Sequence, residues 1–185
     1  MASYHRFFLI FVGLGLAVYA AQAQSELPDP VKAMEGRWNG TYEIRNPEGM
    51  ILRLIQVEYQ YWVEDEVLNG LAVFEQAGEL SHAKSRSFME EGQLISEIVS
   101  GGITRRFLGR LVDQAVIWEP EELERRPNRK IKETVVEREE KAFLVVDGFE
   151  RILRGEESTM VVYKGLLERD LRNNGPKKRT SDSSP

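Results

Sequence analysis

The sequence predicts an all-β domain, an antiparallel up-and-down β-barrel of about ten strands entered through a short N-terminal helical turn. Three observations carry that prediction. Gly36-Arg37-Trp38-Asn39-Gly40-Thr41-Tyr42-Glu43-Ile44 alternates cleanly, with Trp38, Gly40, Tyr42 and Ile44 on one face of an extended strand and Arg37, Asn39, Thr41 and Glu43 on the other. Further short apolar segments follow at regular spacing, divided by turns rich in Gly, Asn, Asp and Glu. No helical periodicity of any length and no repeat of fixed period interrupts them.

Taken in order, the chain opens with His5 and Arg6, an apolar run from Phe7 to Ala21, and the small-x-small triplet Ala21-Gln22-Ala23. This predicts a cleaved secretory signal over residues 1–23, the apolar run being shorter than the roughly 20 residues a membrane span needs. The expected location is therefore exported, periplasmic or secreted, without stable membrane insertion. The sequence has no cysteine, so no disulfide supports the exported domain and its own core must hold it. Without Arg6, 24 of the 25 Lys and Arg remain against 30 Asp and Glu, a net charge of −6 that argues against nucleic acid as a partner.

The barrel domain is expected over residues 24–172. Pro28 and Pro30 allow only a brief helical turn, Val31 to Glu35, before Gly36. Asn46-Pro47-Glu48-Gly49 predicts a turn into a long strand, Ile51 to Val63, whose odd positions are mostly apolar. Asn69-Gly70, flanked by apolar residues, predicts a tight hairpin, and Asp147-Gly148 predicts a second. Between them lie predicted strands at Leu80 to Phe88, Gln93 to Val99, Ile103 to Leu111, Gln114 to Trp118, Lys130 to Arg138 and Ala142 to Val146. Phe149 to Leu153 and Ser158 to Leu167 complete the set. Pro120 to Asn128 is the one long polar interruption, a loop or a single helical turn over an opening. Residues 173–185 carry no apolar side chain beyond prolines and are expected to be a disordered tail. Arg37, Glu43 and Arg45 on the outward face of the first strand argue against a lipid-facing outer-membrane barrel.

Gly36-Arg37-Trp38, set after a short helical turn at the entry to the first strand, resembles the Gly-x-Trp signature of lipocalins and other calycins, and small exported bacterial lipocalin-like domains in particular. The resemblance implies a calycin-like barrel in which Trp38 packs across the closed end beside Gly36. It also implies a basic residue of the last strand lying against that tryptophan. Arg169 is the positional candidate, with Lys164 and Arg172 as rivals.

Residue patterns that carry chemistry are mostly missing from the sequence. The mature chain has one histidine, His82, no thiol, and no nucleophile elbow, phosphate loop, dinucleotide fingerprint or calcium loop. No catalytic residue, metal site or cofactor is expected, and the protein is read as a non-enzyme. A haem protein would have only His82, Tyr59, Tyr61 and Tyr163 to offer. The candidate ligand-binding residues are Trp38, Tyr42, Tyr59, Tyr61, Arg105 and Phe107, lining a cavity for a small apolar or amphipathic molecule. Packing of a side-chain-filled core, in a structural or interaction protein of the cell envelope, is the alternative reading of the same aromatic row. On the strand Leu80 to Phe88 the small residues Ser81, Ala83, Ser85 and Ser87 are expected inward, since buried cations without partners are costly. Alternation puts Arg105 inward with Ile103, Phe107 and Leu111, paired with an acid.

Overall fold

The computed structural model describes residues 26–154 and 157–171. The predicted signal segment, the whole of the predicted tail and Arg172 lie outside them. After a one-turn helix α1 (Asp29–Lys32) come ten strands: β1 (Gly36–Arg45), β2 (Ile51–Glu64), β3 (Val67–Gln76), β4 (Glu79–Glu90), β5 (Gln93–Ser100), β6 (Ile103–Val112), β7 (Ala115–Pro120), β8 (Arg129–Arg138), β9 (Lys141–Arg154) and β10 (Glu157–Arg169). Each strand pairs antiparallel with its sequence neighbours, and β1 pairs with β10 to close the barrel. A 3-10 helix, Leu123–Asn128, fills the polar interruption before β8.

Most turns are two-residue connections in which both residues, or the first, take positive φ, the conformation that matches the twist of a hairpin. Ala77-Gly78, Glu91-Gly92, Gly101-Gly102 and Glu139-Glu140 are of this kind. The two hairpins expected at Asn69-Gly70 and Asp147-Gly148 are not turns. Asn69-Gly70 lies inside β3, and the turn before it is Asp65-Glu66, both with positive φ. Asp147-Gly148 lies in the middle of the unbroken β9. Neither glycine takes positive φ; both serve close approach. A Cβ on Gly148 would stand 2.6 Å from the Lys130 carbonyl oxygen, and one on Gly70 would stand 2.6 Å from the Tyr61 ring.

One end of the barrel is plugged. Leu27, Val31 and Met34, brought in by α1 and its flanks, are buried against the fully buried Trp38. The Trp38 Nε1–H donates to the Met34 carbonyl at 2.7 Å. Arg169, opposite Trp38 in the β1–β10 register, holds its guanidinium 4.4 Å from the indole centre and donates to the Ala33 carbonyl. Gly36 packs beside the Arg169 side chain at φ +129°, a backbone conformation that residues with a Cβ rarely adopt. Lys164 instead points outward and pairs with Asp147. Replacing Arg169 by alanine is expected to cost about 1–2 kcal/mol, through the lost cation–π contact and hydrogen bond. Lysine should restore only part of this, because it lacks the planar fork. Denaturant titration of the three proteins measures both effects.

Candidate functional site

The barrel interior is built by alternation. Trp38, Tyr42 and Ile44 point in from β1, and Ile55, Val57, Tyr59 and Tyr61 point in from β2. Such large rings fit because small residues stand opposite them. In register, Tyr42 faces Gly165, Tyr61 faces Gly70 and Trp118 faces Gly109. A Cβ on Gly165 would lie 2.2 Å from Tyr42 Cε1, and one on Gly109 would lie 2.7 Å from Trp118 Cζ3. The rings therefore lie flat over neighbouring backbone instead of crossing the lumen.

β4 adds to this economy of volume. Ala83 and Ser87 are buried and His82, Lys84 and Arg86 are exposed, so the small face points inward, as the cost of burying unpartnered cations predicts. Ser87 Oγ bonds Ser96 Oγ across the β4–β5 pair at 3.1 Å.

The space left toward the open end is a cavity of about 320 Å³. Tyr42, Tyr59, Tyr61, Phe74, Ile98 and Ile131 form its walls. A smaller void of about 60 Å³ lies deeper, between Tyr61, Phe107 and Trp118. The tyrosines form an ordered wall: the Tyr42 and Tyr59 hydroxyls share a hydrogen bond of 2.7 Å, and Tyr59 packs edge-to-face with Tyr61 and Phe74. Burial pushes all three phenols above their ordinary range, so they remain protonated donors.

Polar groups occupy two levels. At the inner level Glu133 of β8 lines both the cavity and the void, and its Oε2 accepts from Trp118 Nε1 at 2.7 Å. Burial raises its carboxyl pKa, against the lowering effect of the Trp118 hydrogen bond. Nearer the mouth are Arg105, Arg129 and a Tyr163–Glu150 pair, in which the phenol donates to Glu150 Oε2 at 2.6 Å.

The sign of the Glu133 effect is testable. A carboxyl with a raised folded pKa stabilises the fold while protonated. That contribution is complete below the unfolded value of about 4.3 and is lost as pH rises through the folded value. Glu133→Gln keeps an acceptor for Trp118 without the charge. It is expected to melt at a higher temperature than the parent at pH 8, with the difference vanishing toward pH 4.

Of the residues singled out from sequence, Tyr42, Tyr59, Tyr61 and Arg105 meet at the cavity. Trp38 lies at the plugged end, where with Gly36 and Arg169 it closes the barrel. Phe107 lies between the deep void and the mouth, beneath the Arg129 guanidinium at 5.0 Å. The acid expected beside Arg105 is absent: Arg105 makes no ion pair with any described residue. Register is the reason. Ile98 stands opposite Arg105, whereas Glu97 stands opposite Arg106. The outward Arg106 gathers Glu90, Glu97 and Glu121 at 2.6, 2.8 and 3.1 Å.

Sequence reasoning did not single out Arg129, Glu133 or Trp118. The only signal was the shared odd-numbered face of Arg129, Ile131, Glu133 and Val135 in β8. The other face, Lys130, Lys132, Thr134 and Val136, is equally mixed.

Fold and site together define a closed ten-stranded antiparallel barrel, plugged at one end and hollow toward the other. The sequence matches no protein-family model and no curated protein. Among the described residues no helix is long and apolar enough to cross a membrane.

Proposed function

We propose that the protein is a non-enzymatic, lipocalin-like binder of a small apolar or amphipathic molecule, acting outside the cytoplasm. The observation that carries this is the cavity of about 320 Å³ between the tyrosine wall and the open end, within the ~300–1,000 Å³ range of ligand pockets. Its lining is aromatic and aliphatic with a few convergent polar groups, the composition that binds an apolar body and orients a polar end. The Gly36-Arg37-Trp38 entry with Arg169 on the indole supports the likeness to lipocalins. The leader-like first 23 residues support export.

Titration with the neutral fluorescent probe N-phenyl-1-naphthylamine tests the reading. Saturable enhancement at one probe per chain is expected. No uptake of this probe, together with no small molecule retained in native mass spectra of protein from its own host, would overturn it in favour of a structural barrel of the cell envelope.

A further inference from the structure

The mouth of the cavity is asymmetric. β7 stops at Pro120, opposite Phe107 of β6, so it gives out before its neighbours reach the open end. Arg105 lies two residues beyond Phe107 on β6, and Arg129 lies two residues before Ile131, the partner of Trp118, on β8. The two arginines thus flank the place where the wall between them ends. There the 3-10 segment forms the outer lip of a groove of about 770 Å³. Arg105 and Arg129 are the two residues that line both this groove and the inner cavity.

Their charges are under-compensated. Arg105 has no ion pair or hydrogen bond with any described residue. Arg129 Nε is buried without a hydrogen-bond partner, and the nearest acid, Glu150, stands 3.8 Å from Nη1. Glu150 already accepts the Tyr163 hydroxyl. The groove's other carboxylates are engaged by other arginines, Glu121 by Arg106 and Glu122 by Arg125. A buried guanidinium donor left unmatched beside a second unpaired guanidinium favours an incoming anion, because charge-assisted bonds form there without breaking existing ones.

We propose that the cavity takes an amphipathic organic anion. Its carboxylate is held between Arg105 and Arg129 at the junction, and its apolar body lies inward against Tyr59, Phe74 and Ile98. This rests on the reading of the cavity as a ligand site and adds the chemical class of the ligand. Glu133, at the inner level, is hydrogen-bonded to Trp118 and offers a carboxylate no cation, so the head group faces the arginines at the mouth.

Calorimetric titration at pH 8 with decanoate and decan-1-ol, matched in chain and differing in head group, tests it. Decanoate is expected to bind about tenfold or more tighter than the alcohol. Arg105→Gln and Arg129→Gln are each expected to remove most of that preference, read as the ratio of acid to alcohol affinity on the same variant. Arg105 is exposed and bonds no described residue, so its variant keeps the test decisive even where the Arg129 variant fails to fold. Equal affinities for acid and alcohol, or a preference that survives Arg105→Gln, would overturn the anion assignment while leaving the cavity reading standing. Decanoate that fails to bind while N-phenyl-1-naphthylamine binds would do the same. If none of the three binds, both readings fall.

Discussion

Replacing Trp38 by alanine is expected to destabilise the barrel by about 3–5 kcal/mol, the range for removing a buried tryptophan or phenylalanine from a core. Trp38 is fully buried, and its ring is the surface on which Leu27, Val31 and Met34 close the barrel and over which Arg169 lies. The cavity left by alanine cannot collapse easily, because the wall around it is a closed ladder of hydrogen-bonded strands. For a domain of this size the loss corresponds to a fall in Tm of roughly 10 °C. Trp38→Phe keeps most of the ring and loses the bond to the Met34 carbonyl, so about 1–2 kcal/mol is expected. Thermal melts followed by circular dichroism separate the two. An alanine variant within a few degrees of the parent would show that the plug does not depend on this ring.

The largest expected effect on binding comes from Ala72→Trp. Ala72 points inward from β3, between Tyr59 and Ala83 in the register, and lines the cavity. An indole placed there extends into the empty space, so the fold is expected to survive with its core filled. Uptake of N-phenyl-1-naphthylamine should fall at least about tenfold, since the probe's apolar body would have to displace the indole. A variant with native-like circular dichroism that still takes up the probe with parental affinity would place binding outside the barrel. A conservative change on the outer wall, such as Thr41→Ser, is expected to leave uptake unchanged.

Much of the wall was readable along single strands. The alternation around Trp38 assigns Tyr42 and Ile44 to the interior, that of β2 assigns Tyr59 and Tyr61, and that of β4 assigns the serine face. Arg105 falls inward by the same rule and lines the cavity. Three expectations failed, and each depended on which residue lies across the next strand. Asn69-Gly70 and Asp147-Gly148 have the composition of hairpin turns, yet each glycine sits mid-strand where an opposed ring or backbone leaves no space for a Cβ. The acid expected for Arg105 belongs to Arg106, one residue and one face away. Arg129 and Glu133 were hidden because β8 is mixed on both faces, so no contrast of polarity marks which one is inside.

The sequence by itself determined the class of fold, the strand periodicity, the plugged entry at Gly36 and Trp38 and most of the tyrosine wall. Those properties are local, being set chiefly by the two-residue period of a strand. Only the tertiary structure decided that glycines facing the rings leave the lumen hollow, that β7 ends early, and that Arg105 and Arg129 meet at the gap with too few carboxylates between them. These are relations between residues far apart in the chain, fixed by barrel closure and cross-strand register, and a single strand's pattern carries no record of them.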